Sequence, residues 1–270
     1  NHRGSALFEL GKRAEAEASF DRSLPLEPGN PSTWYNKALI QKQRGASDPA
    51  LESLARVLEL DPGHTGALHT RGLVLHTLGR NGEALEAYDR ALALDPANGE
   101  AWHRKGLALQ ALGKSDEARE ALSRSVELEP EDSEAWFHLG VAGRDLGREE
   151  EAASALEVAG GLNPEYRDAW FLMGLVREVT GELEAALAAF TRCVELDGRH
   201  ADGHYHRGLT LVALGRPEAA VDTFDRALDI DPSRPDAWFQ EGLVLEQFGE
   251  YDPAVSALET SLSIDPQQAE

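Results

Sequence analysis

His200, His204 and His206 lie within one short stretch of the 270-residue chain, and His200 with His204 has the four-residue spacing that sets two imidazoles on one helix face, where they could hold zinc. Their setting argues against it. His204 stands where other copies of a recurring pattern hold tryptophan, and His200 falls in a turn, so no shared metal and no cofactor are expected. Cys193 is the single cysteine and replaces an alanine of the same pattern, as a small core residue would; it predicts neither a disulfide nor a metal pair. No Ser/His/Asp grouping, phosphate loop or HExxH run occurs, and the carboxylates follow the repeat rather than converging on one point. The chain is therefore read as a non-enzyme.

The chemistry that remains is that of aromatic and aliphatic side chains, and a period positions them. The same sentence recurs at a spacing of 34 residues, most clearly over residues 99–132. Position 4 of the repeat holds all five tryptophans, Trp34, Trp102, Trp136, Trp170 and Trp238, with Leu68 and His204 in the other two copies that reach it. Position 8 is glycine except at Ala38; position 15 is always glycine, from Gly11 to Gly249; position 20 is always alanine, from Ala16 to Ala254. Position 24 carries Phe20, Tyr88, Phe190 and Phe224 or a leucine, and position 32 is proline except at Gly198.

Apolar residues recur at helical spacing between positions 4 and 14 and again between 20 and 31, which predicts two helices, A and B, joined by a tight turn. Small residues at 8 and 20 allow the helices to approach, and the bulky residues at 4 and 24 fill the space around them. Glycine at 15 ends helix A by accepting a left-handed conformation, and proline at 32 stops helix B. One hairpin cannot bury its own apolar face, so neighbours must stack. Gly160 and Gly161, where other copies have an apolar residue such as Leu92 or Val126, predict early fraying of helix B in the fifth copy and a bend after it.

This pattern resembles the tetratricopeptide repeat family over nearly the whole chain. The resemblance implies an all-α fold, a right-handed superhelical solenoid of helix-turn-helix repeats. A single array is expected over residues 1–270, with a truncated first repeat at 1–30 and full repeats at 31–64, 65–98, 99–132, 133–166, 167–200, 201–234 and 235–268. It also implies that the A helices line a concave wall, on which positions 5 and 9 form an aromatic and aliphatic ladder.

The expected function is protein binding, with a peptide or helix docked in the groove. Its anchors are Tyr35, Phe137, Phe171, Tyr205 and Phe239, with His69, His103, His138 and His206 as polar contacts. Chaperone-binding relatives use a clamp of Lys and Asn at positions 5 and 9; here position 5 is never lysine and position 9 never asparagine, so a chaperone tail is not expected. Two other roles fit the same scaffold: the targeting arm of a larger enzyme such as a glycosyltransferase, or a homo-oligomer assembled through uncapped ends. The chain begins inside a helix A and ends just past a position-32 proline, which reads as an excised piece.

Formal net charge is −22, and residues 235–268 carry seven carboxylates with no lysine or arginine. Such a surface repels phosphate, so nucleic acid and anionic membrane are poor partners and a basic peptide is electrostatically easier. No leader and no long apolar run is present, and a cytoplasmic location is expected.

Overall fold

Five of the seven complete repeats open behind a residue whose side chain caps helix A. Asn30, Asn98 and Asp132 accept the backbone N–H of Thr33, Ala101 and Ala135 on their side-chain oxygens. His64 and His200 do the same with Nδ1, toward Ala67 at 3.1 Å and Gly203 at 2.8 Å. Helix A therefore starts about a turn ahead of the position-4 side chain, earlier than the apolar pattern predicts. It stops at the position-15 glycine, whose φ lies between 67° and 79° in every copy. The next N–H then reaches back to a carbonyl five residues earlier, as in Arg80 to Leu75 at 2.9 Å and Lys114 to Leu109 at 3.0 Å, the bonding of a Schellman end.

Position 31, which follows helix B, is Asp or Asn in six copies and glutamate at Glu27 and Glu129. There Asp61, Asp95, Asn163, Asp197 and Asp231 each accept the N–H two residues on, at 3.0–3.3 Å, across the intervening proline or Gly198.

The computed structural model describes residues 2–269, and among these the fold is all-α, a solenoid of helical hairpins. Contacts divide the chain into two compact units, Asn1–Glu131 and Asp132–Glu270. The first holds α1 (His2–Glu9), α2 (Arg13–Ser23), α3 (Pro31–Gln43), α4 (Ser47–Leu60), α5 (Thr65–Thr77), α6 (Asn81–Leu94), α7 (Gly99–Ala111) and α8 (Ser115–Leu128). The second holds α9 (Ser133–Asp145), α10 (Glu149–Leu162), α11 (Arg167–Val179), α12 (Leu183–Leu196), α13 (Ala201–Ala213), α14 (Pro217–Ile230), α15 (Pro235–Gln247) and α16 (Tyr251–Ile264), then a 3-10 turn. Within each unit an A helix packs on its own B helix, and that B helix on the next A helix.

The hairpin interior forms where the sequence places its small residues. A Cβ on Gly106 would lie 2.6 Å from Leu122 Cγ, one on Gly140 would lie 2.6 Å from Leu156 Cγ, and one on Gly174 would collide with the ring of Phe190. Leu54, Tyr88, Leu122, Leu156, Phe190 and Phe224 are fully buried beside alanines that are equally shielded. Burying each large side chain stabilises the fold by about 1.5–3 kcal/mol.

Gly160 overturns one expectation. α10 is intact through Leu162 and has the same length as its counterparts. The physical reason is the indole of Trp170, which lies against Gly160 so closely that a Cβ there would sit 3.0 Å from Trp170 Cζ2. The tertiary contact outweighs the weak helix propensity of glycine.

Candidate functional site

The position-5 side chains sit one turn into helix A, and four of them, Tyr35, Phe137, Phe171 and Tyr205, meet the residue at position 34 of their own repeat, which starts the following helix A. In the first unit the Tyr35 ring lies 4.7 Å from the ring of His64, and its hydroxyl is 3.3 Å from Thr70 Oγ1. In the second unit Phe137 packs on Tyr166 at 4.9 Å, Phe171 on His200 at 4.7 Å, and Tyr205 under the guanidinium of Arg234 at 4.7 Å. Arg234 is held in turn by Asp202 and Asp236. Position 34 is thus a second row beside the aromatic row. The sequence signal was its tolerance of Tyr and Arg where a small helix cap is usual.

Tyr35, His69, Phe137, His138, Phe171, Tyr205, His206 and Phe239 are all half-buried, with part of each side chain left to solvent. His103 differs: it is 2% exposed, packed into the interior, and so is not available to a partner. His69 Nε2 lies 3.9 Å from a Glu100 carboxylate oxygen, and burial nevertheless pulls the pKa of its ring down.

The densest cluster is in the second unit. His206 Nδ1 is 3.0 Å from Glu178 Oε2, and Thr210 donates to Glu178 Oε1 at 3.0 Å. The His206 ring also stacks on Phe190 at 5.5 Å and meets Tyr205 edge-on at 5.4 Å. Burial, seconded by Asp236, pushes the Tyr205 hydroxyl up to about 12, so it remains a neutral donor. Glu178 was not singled out in the sequence, because position 12 carries residues of every type.

Around this cluster, α11 presents Phe171, Leu175 and Val179, the last 72% exposed, and α13 presents Tyr205, Leu209 and Val212. These spacings of three and four place each set along one helix face. The two strips offer apolar anchors, ring edges and a carboxylate-tethered imidazole. His200 Nδ1 is engaged in capping and His204 Nε2 in a bond to Gly198, and among the described residues no group of three His, Cys, Asp or Glu is arranged to hold a metal. Cys193 is buried and unbonded, and burial pushes its thiol up to about 11. Among the described residues no helix is long and apolar enough to cross a membrane.

Models of the tetratricopeptide repeat match residues 2–65, 103–162, 171–235 and 205–269, and a further TPR repeat model matches 72–113. Among solved structures the chain is similar to YrrB, described as a TPR protein with an unusual peptide-binding site, at 26% identity over 69% of this chain and 96% of that one, with a TM-score of 0.64. It is similar to MamA from Desulfovibrio magneticus RS-1 at 25% identity over 63% and 96%, with a TM-score of 0.59. The C-terminal part of a TPR repeat-containing protein from Cytophaga hutchinsonii shares the fold at 15% identity over 87% and 97%, with a TM-score of 0.73. No curated protein matches the chain in sequence.

Proposed function

Because this chain belongs to the tetratricopeptide repeat family and is built as a protein-interaction scaffold, we propose that its A-helix walls bind a peptide or an amphipathic helix of a partner protein rather than catalyse a reaction. The reading is carried by the paired strips of α11 and α13, where Phe171, Leu175 and Val179 run beside Tyr205, Leu209 and Val212. Val179 is exposed and the other five are half-buried, and apolar surface left partly in solvent along one face favours a partner. Phe137 and Phe239 extend the set in the second unit, and Tyr35 and His69 serve in the first; His138 and His206 supply polar contacts at the edge. The peptide-binding site named for YrrB supports the same mode here. The negative surface favours a partner that pairs its apolar anchors with lysine or arginine.

The test is partner capture from a lysate of the source organism on the wild type and on a Phe137→Ala, Phe171→Ala, Tyr205→Ala variant of equal helicity. A protein retained by the first and lost by the second is the expected result. The same set on both, or the protein itself as the sole species captured, would remove the wall from consideration.

A further inference from the structure

A carboxylate stands three residues ahead of the wall ring on every helix A of the second unit: Glu134 before Phe137 on α9, Asp168 before Phe171 on α11, Asp202 before Tyr205 on α13 and Asp236 before Phe239 on α15. Residues three apart share one helix face, so acid and ring are presented together. The first unit does not repeat this, with Ser32 and Gly66 ahead of Tyr35 and His69.

One of these places is filled by the chain itself. The Arg234 guanidinium lies 4.7 Å from the centre of the Tyr205 ring and pairs with Asp202 of α13 and, at 3.5 Å, with Asp236 of α15. Its side chain is 17% exposed. A wall ring and the position-2 carboxylates of two successive repeats therefore hold a guanidinium, by attraction to the ring face and by ion pairing.

Two repeats earlier the same parts stand without an arginine. Phe137 has Glu134 on its own helix and Asp168 on the next helix A, and position 34 is Tyr166, whose ring packs on Phe137 at 4.9 Å; both rings are half-buried. Glu134 is exposed and pairs with no lysine or arginine among the described residues, and Asp168 engages the neighbouring Arg167 through Oδ1 alone. Burial, seconded by Glu134, Asp168 and Asp132, pushes the Tyr166 hydroxyl up to about 12, which marks this spot as one of negative potential.

Resting on the wall reading above, we propose that the partner's segment carries an arginine whose guanidinium lies against the Phe137 and Tyr166 rings between Glu134 and Asp168, with an apolar anchor beside it on the strip of Phe171 and Leu175. A planar guanidinium suits stacked rings better than the compact ammonium of lysine. Packed helices lie about 8–10 Å apart, so an extended segment crosses from one wall helix to the next in about three residues.

The probe is the peptide acetyl-Leu-Ala-Ala-Arg-Ala-Ala-Leu-amide, which offers a leucine three residues to either side of the arginine. It is titrated into the full chain while the Phe137 and Tyr166 ring resonances are followed, and a saturable one-to-one shift is expected. The same peptide with citrulline, a neutral urea of the same shape, should bind about tenfold more weakly, because it forfeits both the ring and the carboxylate attraction. Glu134→Gln, which removes one carboxylate from an exposed position, should weaken the arginine peptide about threefold with helix content unchanged. Glu134→Lys should instead favour the peptide with glutamate in place of arginine. Citrulline binding as tightly as arginine, or undiminished affinity in Glu134→Gln, overturns the arginine place and leaves the wall standing; the citrulline comparison is made on the wild type and depends on no variant folding. Absence of a saturable shift with the arginine peptide overturns it as well, and the wall is then judged by capture on the triple alanine variant.

Discussion

Gly174 leaves room for the ring of Phe190, and that ring is stacked in turn on His206 of the candidate wall. Gly174→Ala would push the ring, and overpacking of this kind costs about 1–3 kcal/mol. Urea denaturation should show that loss, together with a shifted His206 resonance. Such a contact was legible in the sequence, since a glycine and a bulky residue sixteen positions apart recur together in almost every copy. The interior position of His103 was not, because exposure at position 5 depends on the neighbouring helices and not on the repeat's own pattern. Glu241 was equally hidden: what sets its behaviour is first its burial and then Asp225, a residue on another helix. With this carboxyl protonated up to about 8, the folded chain holds a proton that the unfolded chain has already released. Stability contributed here is therefore full at the ordinary carboxylate range and falls as pH rises toward 8. Thermal melts across that window should slope downward for the wild type, and less so for Glu241→Gln.

At the scale of the helix, two adjacent glycines in α10 are expected to behave oppositely. Nothing lies within 4 Å of a Cβ on Gly161, so Gly161→Ala should stabilise by about 0.5–1 kcal/mol through helix propensity. Gly160→Ala would press on Trp170 and should gain nothing or lose, with denaturation midpoints ranking the two. Propensity alone predicted fraying at both; the indole that decides between them is a tertiary contact from α11. Helix ends were legible where a residue has one conformational role, as with the position-15 glycines. Helix starts were less so, because histidine serves as the cap at His64 and His200, and Tyr166 and Arg234 begin helices with no side-chain cap at all.

At the scale of the molecule, each unit has core clusters of its own. Leu54, Leu68 and Val74 pack together in the first, Leu156, Leu172 and Val176 in the second, and Leu211, Phe224 and Val244 further along the second. More than three stacked hairpins suffice for independent folding. Fragments 1–131 and 132–270, made separately, should each give a cooperative helical unfolding transition by circular dichroism; a fragment without helix would show that its core is incomplete. The repeat register and the all-α class were legible because every copy states them again, whereas the division into two units has no marker in the sequence. The row at position 34 also couples two traits in inheritance. One codon there sets both how firmly a helix begins and which atoms shield the aromatic ring of its own repeat's first helix. Selection for a new ligand can therefore arrive as a loss of helix cap, and selection for a sturdier helix as a change of ligand.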